Sequence, residues 1–143
     1  MGIFCGVDMV EIQRVKDSIE QSGETFIKKV FTPGEIEYCE NRKNGRYESY
    51  AARFAAKEAV SKALGTGFSE GVSLKGIELV AGKGGKPKVV LHGSTLERYS
   101  NMGGISMDIS LTHSYNYAVA FAVLLTKDPE TESGEVNVNG EKN

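Results

Sequence analysis

The pattern in this chain richest in chemistry is a carboxylate set among cations on one side of a helix. In the run Arg53-Phe54-Ala55-Ala56-Lys57-Glu58-Ala59-Val60-Ser61-Lys62-Ala63, a rotation of about 100° per residue fans Arg53, Lys57, Ser61, Glu58 and Lys62 across one half of the helix. The other half is Ala52, Ala55, Ala56, Ala59, Val60 and Ala63. Small side chains let a neighbouring element come close, so the charged half is held in a fixed geometry. Arg53, Lys57 and Ser61 supply donors for phosphate oxygens. Glu58 and Lys62 also stand one turn apart, the spacing of an ordinary surface pair worth roughly 0.3–0.5 kcal/mol. Phe54, at the centre of the fan, lines a ligand slot or caps the core.

A second carboxylate, Asp8, shares one face of an apolar strand with Phe4, Gly6, Val10 and Ile12. A charge in that setting shifts its protonation or demands a cation. Two readings stand side by side. Asp8 pairs with Arg14 or Lys62 as a structural ion pair, or it shares a divalent ion with Glu58. Two carboxylates completed by water and phosphate oxygens describe a Mg²⁺ site.

Two further segments have possible chemistry. The Gly84-Gly85-Lys86-Pro87 turn lets backbone approach a ligand beside a lysine charge, but it lacks the spacing of a P-loop and on its own reads first as an ordinary hairpin turn. Ser110-Leu111-Thr112-His113-Ser114 ends an alternating strand with a histidine among hydroxyls. His92 reads as structural.

Periodicity and caps give the elements that must position these groups. Residues 2–12 read as a strand, apolar on both faces and therefore central in its sheet. A short amphipathic helix follows over 13–22, stopped by Gly23, with another over 24–31. Thr32-Pro33-Gly34-Glu35 combines an N-cap threonine, a first-turn proline and a capping-box glutamate, so a helix runs from there to about residue 40. After a polar loop, 41–45, the long helix spans 46–64 and ends at Gly65 and Gly67.

Strands at 74–81 and 88–92 flank the glycine turn and make a hairpin with a basic tip. A short helix is expected at 94–101, then strands at 105–111 and 117–126. The Ala118, Ala120 and Ala122 face of the last strand suits the alanine half of the long helix. The fold class is α+β, with an antiparallel-leaning five-stranded sheet packed on a long central helix. Residues 1–126 form the domain, and 127–143, rich in Asp, Glu, Gly and Asn, read as a disordered polar tail.

A chain of 143 residues is one domain's worth. Its formal net charge of -2 gives no overall field for nucleic acid or an anionic membrane, so anions are bound by local clusters. The two cysteines, Cys5 and Cys39, have no metal-like spacing and read as reduced thiols of a cytoplasmic protein. The first residues reach Asp8 and Glu11 too soon for a signal peptide, and no apolar run approaches membrane-spanning length.

Taken together, Gly6-Val7-Asp8-Met9-Val10-Glu11-Ile12, Arg14, Phe31-Thr32-Pro33-Gly34-Glu35, the segment 53–67, Gly85-Lys86-Pro87 and Ser110-Leu111-Thr112-His113 resemble the holo-acyl-carrier-protein synthase family of 4′-phosphopantetheinyl transferases. The likeness covers roughly 3–125. It implies a 4′-phosphopantetheinyl transferase-like fold and a Mg²⁺-dependent enzyme. That enzyme moves the 4′-phosphopantetheine arm of coenzyme A onto a serine of apo-acyl carrier protein, for fatty acid biosynthesis, and releases adenosine 3′,5′-bisphosphate.

By the same likeness Asp8 and Glu58 hold the metal, and Lys62 joins them as the third catalytic group. Arg53, Lys57, Ser61, Lys62, Gly85, Lys86, Pro87, Thr112 and His113 surround coenzyme A, and Arg14 meets the acidic carrier protein. The base that takes the serine proton is left among Glu58, Asp8 and a metal-bound water. Homotrimers with sites between subunits are the family's usual assembly. Thr112 stands where many relatives have Ser, a change that keeps the hydroxyl. A non-catalytic coenzyme A or nucleotide sensor is the competing reading; it needs the cations but not two metal-binding carboxylates.

Overall fold

Small residues dictate how closely the main elements meet. The computed structural model describes residues 1–127; of the expected polar tail only Lys127 falls within them. The order of elements is β1 (Gly2–Glu11), α1 (Ile12–Ser22), α2 (Glu24–Val30), α3 (Pro33–Glu40), α4 (Arg46–Ala63), β2 (Ile77–Ala81), β3 (Pro87–Leu91), α5 (Gly93–Asn101), β4 (Gly104–His113) and β5 (Tyr117–Thr126). Every strand pairing is antiparallel.

The α4 alanines Ala55, Ala56, Ala59 and Ala63 are buried with Ala120, Ala122 and Leu124 of β5 and with Ile77 and Leu79 of β2. A second cluster forms where Ile12, Val15 and Ile19, the apolar stripe of α1, meet Phe31, Tyr50, Ala51 and Ala118. The expected meeting of the alanine strand with the alanine helix is thus present. At α3 the capping box is complete: Thr32 Oγ1 accepts from the Glu35 amide at 3.3 Å, and Glu35 Oε1 accepts from the Thr32 amide at 2.9 Å.

Three expectations need correction. The five strands do not make one sheet: β1-β5-β4 form a three-stranded sheet, and β2-β3 form a separate hairpin. β2 begins only at Ile77, because Leu74 and Ile77 turn their carbonyls to the Lys57 ammonium, and Gly76 lies so close to Thr95 that a Cβ there would stand 2.1 Å from its Oγ1. Among the described residues β1 is an edge strand rather than a central one, since its hydrogen-bonded neighbour is β5 alone. Its two apolar faces have different fates. Gly6 and Val10 turn toward the core, whereas Ile3, Val7 and Met9, with Phe121 of β5, are exposed.

Gly6 is where β1 and α4 come closest. A Cβ at this position would lie 2.0 Å from the Ala59 carbonyl oxygen and 2.9 Å from both the Ala63 nitrogen and the Lys62 Cβ. Two of these neighbours are helix backbone and cannot swing aside. Gly6→Ala is therefore expected to push β1 off the helix, at a cost of about 1–3 kcal/mol for overpacking. Chemical denaturation checks this, and an unchanged midpoint would mean the two elements are not held at this distance.

Candidate functional site

The close seat of β1 on α4 sets the geometry of the two carboxylates. Asp8 lies one pleat beyond Gly6, on the strand face turned to α4, and Glu58 comes from the helix. Both line one cleft of about 340 Å³, together with Arg14, Phe26 and Phe54. Lys62 spans the gap between strand and helix: its ammonium donates to the Val7 carbonyl at 2.9 Å and to Asp8 Oδ1 at 3.1 Å. The structural ion pair foreseen for Asp8 is thus formed with Lys62, and Arg14 is exposed on the cleft rim with no side-chain partner among the described residues. Asp8 keeps 20% of its side chain exposed, enough to accept a further ligand.

Burial holds the pKa of Glu58 above the ordinary carboxylate value of 4.5; the negative charge of Asp8 adds to the rise and Lys62 opposes it. Two acids brought together at partial burial, with only part of their charge answered, suit a hard divalent cation that brings its own waters. Among the described residues there is no cluster of three or more acidic, histidine or cysteine ligands. Two carboxylates completed by waters are a donor set that Mg²⁺ accepts.

The raised pKa has a consequence for stability. The folded protein holds the Glu58 proton more tightly than the unfolded chain, so unfolding releases it. Stability falls as pH rises from the ordinary carboxylate value through the raised one, and the penalty is complete above it. Glu58→Gln is therefore expected to raise the melting temperature of the metal-free protein at neutral pH. The gain should vanish below the ordinary carboxylate range. Melting curves in the presence of a chelator, at both pH values, test the sign.

The cationic fan divides differently from its angular reading. Lys57 has a side-chain exposure of 0%. Its ammonium pairs with Glu35 Oε1 at 2.7 Å and donates to the Leu74 and Ile77 carbonyls, so its three protons are used inside the protein. Burial pushes its pKa down, with Glu35 opposing the shift. Ser61 is also buried, and its hydroxyl donates to the Glu58 carbonyl at 2.7 Å. Neither side chain presents a free donor to a phosphate.

Arg53 does face a ligand space, on another side of α4. It lines a cleft with Gly85, Lys86 and Pro87 and a second one with Thr112 and His113. The structure thereby gathers the glycine turn and the histidine segment around one guanidinium. Gly85 has φ +81 with open space around it, so the glycine is required there by backbone conformation. Lys86 pairs with Asp108 at 3.1 Å, both exposed. The Asp8 cleft and the Arg53 clefts have no lining residue in common. Within one chain Asp8 and Glu58 line one cleft and Arg53 lines others.

Some participants were invisible in the linear pattern. Tyr38, from α3, stacks under Arg53, and no local spacing announces a contact between two helices. Phe26 of α2 lies 6.5 Å from the Phe54 ring and shares the Asp8 cleft. His92, read as structural, is partnered by Glu78 Oε1 at 2.9 Å, while the other oxygen of Glu78 accepts from Thr32.

The 4′-phosphopantetheinyl transferase superfamily model matches residues 4–122. A holo-(acyl-carrier-protein) synthase of Ruminiclostridium cellulolyticum is 49% identical over 128 residues, which is 90% of this chain and 96% of the relative. One of Koribacter versatilis is 41% identical, covering 83% of this chain and 94% of the relative. Among solved structures, the Neisseria meningitidis synthase superposes with a TM-score of 0.79 at 27% identity, over 86% of this chain and 98% of that one. The Helicobacter pylori synthase in complex with coenzyme A gives 0.75 at 27% identity, over 85% and 99%.

Proposed function

Because the chain belongs to the 4′-phosphopantetheinyl transferase superfamily, we propose that it acts as a holo-acyl-carrier-protein synthase. It transfers 4′-phosphopantetheine from coenzyme A to a serine of apo-acyl carrier protein and releases adenosine 3′,5′-bisphosphate. The observation that carries this reading is the convergence of Asp8, Glu58 and Arg14 on one cleft. A sensor of nucleotides has use for the cations but none for a strained acidic pair, so that pair favours transfer over sensing.

Asp8 and Glu58 would hold Mg²⁺, which would lower the negative charge that the attacking serine must meet at the diphosphate. The serine oxygen bonds to the phosphorus that carries the pantetheine arm, the bridging P–O bond breaks, and its electron pair leaves with adenosine bisphosphate. The serine proton goes to a carboxylate of this pair or to a water beside it. Lys62, half-exposed on a flexible stem, turns from Asp8 to the developing charge. Arg53, Lys86, Thr112 and His113 take the nucleotide and its phosphates. Arg14, exposed beside Phe26 and Phe54, offers a cation with apolar neighbours to an acidic carrier.

The separation of the Asp8 cleft from the Arg53 clefts supports a homotrimer in which the Asp8 cleft of one subunit meets the Arg53 region of the next. Ile3, Val7, Met9 and Phe121, exposed on the outer face of the β1-β5-β4 sheet, supply apolar surface for such an assembly. No helix among the described residues is long and apolar enough to cross a membrane; a cytoplasmic location belongs to the proposed reading. Incubation of the purified protein with coenzyme A, Mg²⁺ and apo-acyl carrier protein, followed by mass spectrometry of the carrier, tests the function. A carrier mass increase equal to one phosphopantetheine is expected, and an unchanged carrier overturns the reading.

A further inference from the structure

Arg53 is 7% exposed, and its Nε is buried with no hydrogen-bond partner among the described residues. What holds it is an aromatic ring. The Arg53 guanidinium carbon lies 3.8 Å from the centroid of the Tyr38 ring. Tyr38, 37% exposed, lines the same cleft as Arg53, Lys86 and Ser110. A second guanidinium, that of Arg42, lies 5.8 Å from the same ring and lines, with Arg53, the adjoining cleft at Thr112 and His113.

A ring face supports a guanidinium in a way a carboxylate cannot. A carboxylate would neutralise the charge and consume two N–H groups, whereas the π face attracts the cation and leaves its in-plane donors for a ligand. Stacking also fixes the guanidinium plane before a ligand arrives, which lowers the ordering cost of binding. A merely structural arginine in this setting would have its Nε satisfied, because a buried unpaired donor is costly.

We infer that Tyr38 is a positioning residue for the nucleotide half of coenzyme A. It presents the Arg53 guanidinium, still charged and with its donors unspent, to a phosphate of the adenosine bisphosphate group. This rests on the assignment of Arg53 to the nucleotide given above.

The test is calorimetric binding of adenosine 3′,5′-bisphosphate, with kcat and KM for coenzyme A, on the parent protein, Tyr38→Phe, Tyr38→Leu, Arg53→Gln and the double variant Tyr38→Leu/Arg53→Gln. Tyr38→Leu is expected to weaken bisphosphate binding roughly 5- to 30-fold and to raise KM in proportion, with kcat at saturating coenzyme A little changed. Tyr38→Phe keeps the ring face and binds like the parent, and the double variant is no weaker than Arg53→Gln alone. If Arg53→Gln binds as tightly as the parent, the nucleotide assignment fails and takes the inference with it. If Arg53→Gln weakens binding while Tyr38→Leu does not, or the two losses add in full, only the role of Tyr38 is overturned. Should Tyr38→Leu not fold, Tyr38→Trp decides: retained affinity supports the inference, and a loss equal to that of Arg53→Gln refutes it.

Discussion

Asp8→Ala and Glu58→Ala should each reduce phosphopantetheine transfer by about 10²–10³-fold, the scale set by removing one electrostatic contact to a transition state, while leaving the fold intact. Chemistry and stability separate here because of where the side chains sit. The Asp8 partner, Lys62, is half-exposed, so freeing its ammonium leaves a solvated charge and costs only about 0–1 kcal/mol. Glu58 is destabilised by its own burial and by Asp8, so its removal relieves the native state. A large loss of transfer with an unchanged or raised melting temperature is therefore the signature of a functional pair. Mg²⁺ adds an independent readout: by linkage it should raise the melting temperature of the parent protein and fail to do so for either variant. If transfer persists in both variants, or if Mg²⁺ protects them as it does the parent, the metal assignment to Asp8 and Glu58 is wrong.

Local rules made part of this molecule legible in its sequence. The start of α3 could be placed because a capping box acts within four residues, and the Thr32-Glu35 spacing is sufficient to specify it. The alanine seat was legible because helix and strand periods each put small residues on one face. Depth was not. A helical projection gives the angle of a side chain about the axis but not what lies beyond it, so Lys57 looked equivalent to Arg53 and Lys62. Its real surroundings are Glu35 and the carbonyls of Leu74 and Ile77, all brought in by chain crossings that no spacing encodes. The two-faced apolarity of β1 was also correctly seen, but its meaning differed. Two-faced apolarity signals cover on both sides, and in this chain one side is the helix while the other remains uncovered. Edge position is a separate matter, set by pairing: among the described residues β1 has β5 as its one hydrogen-bonded neighbour, and the Asp8 cleft lies beside it.

The buried lysine carries the largest stability prediction. Glu35 joins three elements at once: its Oε1 accepts from the Thr32 amide and pairs with Lys57, and its Oε2 accepts from the Leu79 amide at 2.9 Å. α3, α4 and β2 therefore meet on one carboxylate, with both charged side chains at 0% exposure. Lys57→Ala would leave that carboxylate facing the core with its countercharge gone, and would strip two carbonyls of their donor. Breaking a buried pair from one side costs about 3–5 kcal/mol, which is a large part of the roughly 5–15 kcal/mol that keeps a domain folded. Glu35→Ala should do comparable damage, since it also removes the capping box and the hold on β2. The double variant Glu35→Gln/Lys57→Met replaces the pair with neutral groups of similar size and should recover part of the loss, because neither charge is then stranded, although the amide accepts from only one of the Thr32 and Leu79 N–H groups and the Leu74 and Ile77 carbonyls still lack a donor. Denaturant melts of the single and double variants measure this coupling. If the two single losses are small and simply add, Lys57 is not a structural residue, and its place among the phosphate ligands would have to be reconsidered.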